Sequence, residues 1–130
     1  MNRVVFSSAS VHWGTPVAVY EALDSEFHFT MDACPLGDEI AGLKSWAGER
    51  VYCNPPYGPG IDTWLRRARE AALAVYLIPS RTDTRWWHRY VMRADEIRFL
   101  RGRLKFGDAA HNAPFPSAVV IFGTPPPPPT

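Results

Sequence analysis

The chain has 130 residues, of which 46% are apolar, 21% charged and 13% aromatic, with 13 prolines and a net charge of +1. This composition fits one globular domain and excludes a wholly disordered chain. No apolar run is long enough to span a bilayer and no signal peptide is recognisable, so we expect a cytoplasmic protein without a membrane partner. Two cysteines, Cys34 and Cys53, cannot by themselves form a zinc site, so no metal is expected.

The near-zero net charge conceals an uneven distribution of charge along the chain. Residues 1–65 carry 3 basic and 8 acidic groups, whereas residues 66–105 carry 11 basic and 4 acidic groups. A basic half on a neutral chain is a candidate surface for a polyanion. The alternative is that its arginines are the solvated faces of two helices, and charge alone leaves both interpretations open.

The N-terminal part predicts an arm followed by a helix. Residues 1–10 are rich in serine and have no periodicity, which indicates a loosely held arm. A helix is predicted over Thr15–Leu23, because Thr15 is a favoured N-cap and Pro16 is favoured at the first helical position.

Two short apolar runs then predict strands that end on polar residues. Phe27–Met31 ends on Asp32, and Arg50–Cys53 ends on Asn54. Because the C-terminal ends of parallel strands share one edge of a sheet, these two side chains are expected at the same edge.

The second half of the chain continues the alternation of helices and strands. Helices are predicted over Ile61–Ala74 and Thr82–Met92, and strands over Ala74–Pro79, Glu96–Leu100 and Pro116–Phe122. The strand Ala74–Pro79 is apolar throughout, as in strands buried on both faces. Of the adjacent Trp86 and Trp87, one is expected in the core and one at the surface.

This order of elements predicts an α/β fold with a mainly parallel sheet of about five strands and flanking helices. We expect one domain over residues 11–123 and a disordered polyproline tail over residues 124–130. The ligand crevice of such a sheet lies beyond the C-terminal ends of its strands.

The most specific motif is Asn54-Pro55-Pro56-Tyr57, directly after a predicted strand. Two prolines cannot continue a strand, and they fix the backbone so that carbonyl groups and the Asn54 side chain converge. An amino group on an aromatic ring is a poor nucleophile because its lone pair is delocalised. The Asn54 side-chain oxygen and the Pro55 carbonyl can each accept one of its N–H groups and localise that lone pair. The alternative is that the motif only turns the chain.

The motif and its surroundings resemble a known family. Asn-Pro-Pro-Tyr after a strand resembles motif IV of S-adenosylmethionine-dependent amino-methyltransferases, and the whole pattern is similar to the phage-type DNA N6-adenine methyltransferases related to Dam. The shared segments are Trp13–Pro16, Phe29–Ala33, Cys53–Tyr57, Ile78–Pro79, Trp86–Trp87, Phe99–Phe106 and Ala113–Ser117. They extend over about Trp13 to Phe122.

The resemblance implies the cofactor S-adenosyl-L-methionine, double-stranded DNA with a flipped adenine, and direct methyl transfer without a covalent enzyme intermediate. It assigns catalysis to Asn54, Pro55, Pro56 and Tyr57, with Tyr57 stacking on the adenine. It assigns cofactor binding to Trp13, Thr15, Pro16, Asp32, Ala33, Cys34 and Asn54. It assigns nucleic-acid binding to Tyr57, Arg81, Arg85, Arg101, Arg103 and Lys105.

Two of these roles have simpler alternatives. Trp13 would attract the sulfonium of the cofactor through its ring, or it only covers apolar surface. Asp32 would hold the ammonium or ribose hydroxyls of the cofactor, or it only opens a turn.

The chain is shorter than the larger methyltransferases. Only 21 residues separate Asp32 from Asn54, which leaves room for one crossover and none for two further strands. Asp38 and Glu39 are candidate substitutes for the acidic residue that such a strand supplies, or they only form a solvated acidic turn. Without a separate recognition domain, the choice of DNA sequence is left to short loops or to a second subunit in a homodimer.

Three other functions remain open at this point. The same motif suits methyltransferases of RNA bases or of glutamine amides, because their acceptors are also planar nitrogens. A noncatalytic nucleic-acid-binding module with a reduced fold would also fit the short chain. The polyproline tail would suit an adaptor protein.

Overall fold

The computed structural model describes residues 14–34, 44–106 and 112–123; the predicted arm and polyproline tail lie outside these ranges. The regular elements are α1 (Val17–Phe27), β1 (Met31–Asp32), β2 (Arg50–Cys53), α2 (Ile61–Arg66), β3 (Leu73–Pro79), α3 (Arg85–Arg89), β4 (Glu96–Phe99) and β5 (Ser117–Phe122). Two 3-10 turns, Arg67–Glu70 and Val91–Arg93, extend α2 and α3.

The strands form one sheet in the order β1-β2-β3-β5-β4. β1, β2 and β3 are parallel, while β5 is antiparallel to both β3 and β4, so four of the five described strands point the same way. The α/β class and the number of strands are thus confirmed. The inserted antiparallel β5 makes half of the described strand pairs antiparallel, which the prediction of a mainly parallel sheet did not include.

β3 forms the centre of the sheet. All seven of its residues are buried, as its uninterrupted apolar sequence predicted. It pairs with β2 from Leu73 to Tyr76 and with β5 from Ala74 to Pro79. The C-terminal ends of β2 and β3 therefore lie at the same edge of the sheet.

The predicted strand Phe27–Met31 is wrong over most of its length. α1 continues to Phe27 and ends where His28 takes a left-handed conformation and donates its N–H to the Asp24 carbonyl. The Asp24 side chain accepts a hydrogen bond from Phe29 N, which stabilises this helix end. Only Met31 and Asp32 remain in the strand.

Arginines attach the end of α1 to the sheet. Arg98 on β4 donates two hydrogen bonds to the Glu26 carboxylate at 2.7 and 2.6 Å. This hydrogen bonding holds the pKa of Glu26 below its ordinary value. Arg50 on β2 donates to the Phe27 and His28 carbonyls. Two elements far apart in sequence thus fix how α1 crosses the sheet.

The two later helices are shorter than predicted. The prediction of helix to Ala74 fails because Ala72 N and Leu73 N both donate to the Glu49 carbonyl, which draws the chain into β3. α3 begins after Thr84, whose hydroxyl accepts from Trp87 N, rather than at Thr82. Within the described ranges, no helix is long and apolar enough to cross a membrane.

Candidate active site

Asn54 directly follows β2 at the C-terminal edge of the sheet, as predicted. Its side chain is buried, with the residue 5% exposed, and its Nδ2 donates to the Thr15 hydroxyl at 3.1 Å. Pro55 is buried and Pro56 is half-buried behind it. The orientation of this amide is therefore set by its neighbours rather than by solvent.

Tyr57 contacts the oxygen of the same Asn54 side-chain amide. Its hydroxyl lies 2.6 Å from Asn54 Oδ1 and 3.0 Å from the Leu77 carbonyl on β3. The ring is buried and makes edge contacts with Phe106 and Phe115. Burial raises the pKa of this hydroxyl well above its ordinary value, so it stays protonated and remains a donor. The stacking of adenine on Tyr57 stays a prediction.

Thr15 lies in this site instead of capping α1. Pro16 occupies the cap position and Val17 begins the helix, with no side-chain cap bond, so the predicted helix start is wrong. The Thr15 hydroxyl lies 2.7 Å from the Tyr52 hydroxyl and also accepts from Asn54 Nδ2. The Thr15 hydroxyl thus bonds to the Tyr52 hydroxyl on β2 and to Asn54 instead of to the backbone N–H groups that an N-cap would bind.

These contacts connect Tyr52, Thr15, Asn54, Tyr57 and the carbonyl of Leu77, and the single proton of the Tyr57 hydroxyl is shared between Asn54 Oδ1 and that carbonyl. We call these five residues the amide network. Tyr52 was not among the predicted site residues, because it lies among the apolar residues of a short strand. Its position two residues before Asn54, and so on the same side of β2, is a signal that would have found it.

Asp32 ends β1 at the edge of the sheet beside Asn54. It pairs in register with Tyr52, and its Oδ1 accepts from Cys34 N at 3.3 Å. Desolvation by the surrounding protein raises the pKa of the Asp32 carboxyl, and the bond from Cys34 N opposes this rise. Ala33 and Cys34 are buried behind it. The structure thus brings Asp32 and Asn54 to one edge, as the strand pattern predicted.

An aromatic cluster beside Asp32 was not predicted. Tyr20 on α1 contacts Tyr52 edge-on at 5.0 Å and Phe29 at 5.7 Å between ring centroids. Burial, followed by the charges of Asp24 and Asp32, raises the pKa of Tyr20. Tyr20 therefore lies close enough to sense the charge of Asp32, and it adds an aromatic wall to this end of the site.

Cys34 and Cys53 are both buried. Burial raises the pKa of the Cys53 thiol well above its ordinary value, so this thiol is protonated at neutral pH and unsuited to nucleophilic attack. Within residues 14–34, 44–106 and 112–123, no three His, Cys, Asp or Glu side chains are grouped as a metal site would need.

A cavity of about 420 Å³ opens beside Tyr57. Its lining residues are Tyr57, Gly58, Ile61, Pro79, Arg81, Thr84, Trp86, Pro114 and Phe115. The Arg81 guanidinium lies 5.6 Å from the centroid of the Phe115 ring. Trp86 is half-buried in this wall and Trp87 is in the core, which confirms the division predicted for the pair.

The predicted nucleic-acid-binding cations lie at the surface. Arg81, Arg85, Arg101, Arg103 and Lys105 are all exposed. Residues 101–106 form no strand, and between these cations Leu104 is half-buried while Phe106, which follows Lys105, is buried. Trp13, Asp38 and Glu39 lie outside the described residues.

Comparison with protein families identifies the family of the chain. The family model for DNA N-6-adenine-methyltransferase (Dam) matches residues 5–121 of the 130-residue chain. No curated protein and no solved structure matches the chain. The family match confirms the resemblance that the Asn-Pro-Pro-Tyr motif and the flanking segments indicated. The chain therefore belongs to the Dam family and is a DNA N6-adenine methyltransferase.

Proposed function

We propose that methyl transfer from S-adenosyl-L-methionine to the N6 amino group of a flipped adenine takes place at the edge of the sheet formed by the ends of β1, β2 and β3. The observation that carries this proposal is the amide network, which fixes both ends of the Asn54 side chain. A fixed acceptor acts on the reacting group without first having to reorganise.

Asn54 and Pro55 act on the nucleophile. In adenine the N6 lone pair is delocalised into the ring, which makes the amino nitrogen weakly nucleophilic. Hydrogen bonds from its two N–H groups to Asn54 Oδ1 and the Pro55 carbonyl favour a pyramidal nitrogen with its lone pair directed outward. An amide oxygen accepts up to two hydrogen bonds, so the contact with the Tyr57 hydroxyl is compatible with this role.

The residues at the end of β1 have the charge and the aromatic rings that suit binding of S-adenosyl-L-methionine. This cofactor supplies an activated methyl group on a sulfonium and carries an ammonium group. An adjacent cation would stabilise the ionised form of the partly desolvated Asp32 carboxyl. The nearby rings of Tyr20 and Tyr52 are suited to attract the same cation. Thr15, Ala33 and Cys34 complete the proposed cofactor side.

The cavity beside Tyr57 is the proposed place for the extruded adenine. Its volume of about 420 Å³ lies within the range of small-molecule sites, and its aromatic and proline walls suit a flat base. Arg81 at the same cavity would contact the phosphate that follows the base. Arg85, Arg101, Arg103 and Lys105 would contact the duplex beyond it.

We further propose that the fold is a reduced Rossmann-like methyltransferase fold. The observation in favour is the position of β1 at the end of the described sheet, with Asp32 and Asn54 on adjacent strands. This arrangement corresponds to a dinucleotide-type crevice in which, among the described residues, no strand lies beyond β1.

The experiment is a methyl-transfer assay with labelled S-adenosyl-L-methionine and separate acceptors: duplex DNA, RNA of the same sequence and a glutamine-containing peptide. We expect label in DNA alone. Label in RNA or peptide but not in DNA would overturn the proposed acceptor. Calorimetry measures the binding of the cofactor and of DNA separately. A chain that binds DNA but not the cofactor would be a noncatalytic module.

A further inference from the structure

Four arginines from two separate helical segments line one cavity at another part of the molecule. Arg66 and Arg69 belong to α2 and its 3-10 extension, and Arg89 and Arg93 belong to α3 and its 3-10 extension. The cavity has a volume of about 640 Å³. Its remaining lining residues are Leu65, Ala68, Ala71, Ala72, Tyr90, Phe122 and Gly123. We call it the arginine cavity.

Positive charge in the arginine cavity is poorly balanced. No carboxylate is among its described lining residues, and the one described ion pair of its arginines is a 3.9 Å contact from Arg66 to Asp62. Glu70 is held by Arg67 at 3.3 Å. Asp95 accepts from Gly123 N at 2.6 Å and keeps its charge, so Asp62 and Asp95 together offset at most two of the four arginines. Like charges gathered around a concave surface repel one another, and a bound anion relieves that repulsion.

The arginine cavity is separate from the proposed active site. Ala72 immediately precedes β3, and Gly123 follows Phe122, which pairs with Ala74 at the start of that strand. Asn54 lies near the opposite end of β3. Cys53 pairs with Tyr76, so Asn54 lies beside Leu77, five residues beyond Ala72. At about 3.3 Å per residue, the two sites are about 16 Å apart along the sheet.

We propose that the arginine cavity binds phosphate groups. Guanidinium groups present planar pairs of N–H donors that match phosphate oxygens, and Arg66 is oriented by a 3.4 Å contact from its Nε to the Tyr90 hydroxyl. The volume accommodates a diphosphate or two adjacent phosphates of a nucleic-acid backbone. A small phosphorylated molecule and a nucleic-acid backbone share this chemistry, and the test separates them.

The test is an amide chemical-shift titration of the full chain, first with inorganic pyrophosphate and then with a short single-stranded DNA. We expect pyrophosphate to shift the amides of Ala72, Tyr90 and Gly123. The double variant R69Q/R93Q should bind it about tenfold or more weakly, because it loses charged hydrogen bonds from two guanidinium groups. If the DNA shifts the same amides, the phosphate groups that the cavity binds belong to a nucleic-acid backbone. If only pyrophosphate shifts them, the ligand is a small phosphorylated molecule.

The matched control is R101Q/R103Q, which removes the same charge at the other edge of the sheet and should bind pyrophosphate at these amides like wild type. R69Q alone provides a milder variant if the double variant does not fold, since Arg69 makes no ion pair within the described ranges. Unshifted amides with both probes, or equal binding by R69Q/R93Q, would overturn the proposal. Both results are independent of methyl transfer.

Discussion

The Tyr57 hydroxyl contacts Asn54 Oδ1, the atom proposed to act on the adenine amino group. Replacing Tyr57 by Phe keeps the ring but removes this contact. Because a buried hydrogen bond contributes about 1 kcal/mol, we expect the free energy of unfolding to fall by about that amount and kcat to fall roughly tenfold. The measurements are urea unfolding and initial rates of methyl transfer.

The matched control for this variant is Tyr76→Phe. The Tyr76 hydroxyl is also partly buried and donates to the Trp64 carbonyl at 2.6 Å, away from the amide network. It should lose similar stability and keep its kcat. If the two variants lose activity equally, Tyr57 contributes only to folding and does not position Asn54.

Asp32 links pH, stability and cofactor binding. Desolvation raises the pKa of its carboxyl in the folded chain, so the ionised carboxylate opposes folding. Below the unfolded pKa of about 3.9 Asp32 is protonated in both states and costs no stability. That stability is lost as the pH rises through the higher folded pKa, because the folded chain must then hold an ionised carboxylate. The stability of Asp32→Asn relative to wild type should therefore increase as the pH rises through the folded pKa of Asp32.

The same variant should bind S-adenosyl-L-methionine about tenfold or more weakly, because it loses a charged hydrogen bond to the cofactor. Urea unfolding across this pH range and calorimetry with the cofactor measure the two effects. Asp83→Asn, an exposed loop variant, serves as the control. An Asp32→Asn chain whose stability relative to wild type does not increase over this pH range would contradict the desolvation argument.

At the scale of elements, the close approach between the end of β5 and the start of β3 depends on Gly123. A Cβ at this position would lie 2.9 Å from the Ala72 carbonyl oxygen, and its φ is +102°. Gly123→Ala should lower the free energy of unfolding by about 2–4 kcal/mol through contact and backbone strain. Gly48→Ala has a positive φ of +73° but nothing within 4 Å, so it should lose only about 1 kcal/mol. Equal losses in urea unfolding would show that the contact is unimportant.

The central elements could be predicted because their signals are local. β2 and β3 are runs of apolar residues bounded by polar or proline residues, and both were found nearly to their ends. Thr15 could not be placed correctly, because its hydroxyl bonds to Tyr52 on β2, 37 residues away in sequence, instead of to its own helix. The end of α1 was missed for a related reason, since Asp24 and Arg50 stabilise a helix through Phe27, a residue that locally favours a strand.

At the scale of the whole molecule, the sequence indicated a basic half but not how it divides between two edges of the sheet. Arg101 and Arg103 lie after β4, at the edge that holds Asn54, whereas Arg69 and Arg93 line the arginine cavity at the other edge. This division depends on how the two helical segments pack beside β3. No local pattern in the sequence encodes that packing.

The edge that holds Asn54 is expected to bind DNA in a salt-dependent way. Each phosphate contact contributes a slope of about 0.9 to the dependence of log affinity on log salt concentration. R101Q/R103Q should therefore reduce the slope by about two, measured by fluorescence anisotropy with duplex DNA between 50 and 200 mM salt. R101K/R103K keeps both charges and should retain most of the slope. An unchanged slope in R101Q/R103Q would exclude these residues from the DNA surface.

The most direct test of the central claim is the nucleoside composition of duplex DNA after incubation with the protein and S-adenosyl-L-methionine. Mass spectrometry of the digested DNA should detect N6-methyldeoxyadenosine with wild type. With Asn54→Ala the rate should fall about 100- to 1,000-fold, because a preorganised acceptor for the reacting group is lost. Methylation that proceeds at the wild-type rate in Asn54→Ala, or that appears on another base, would contradict the account.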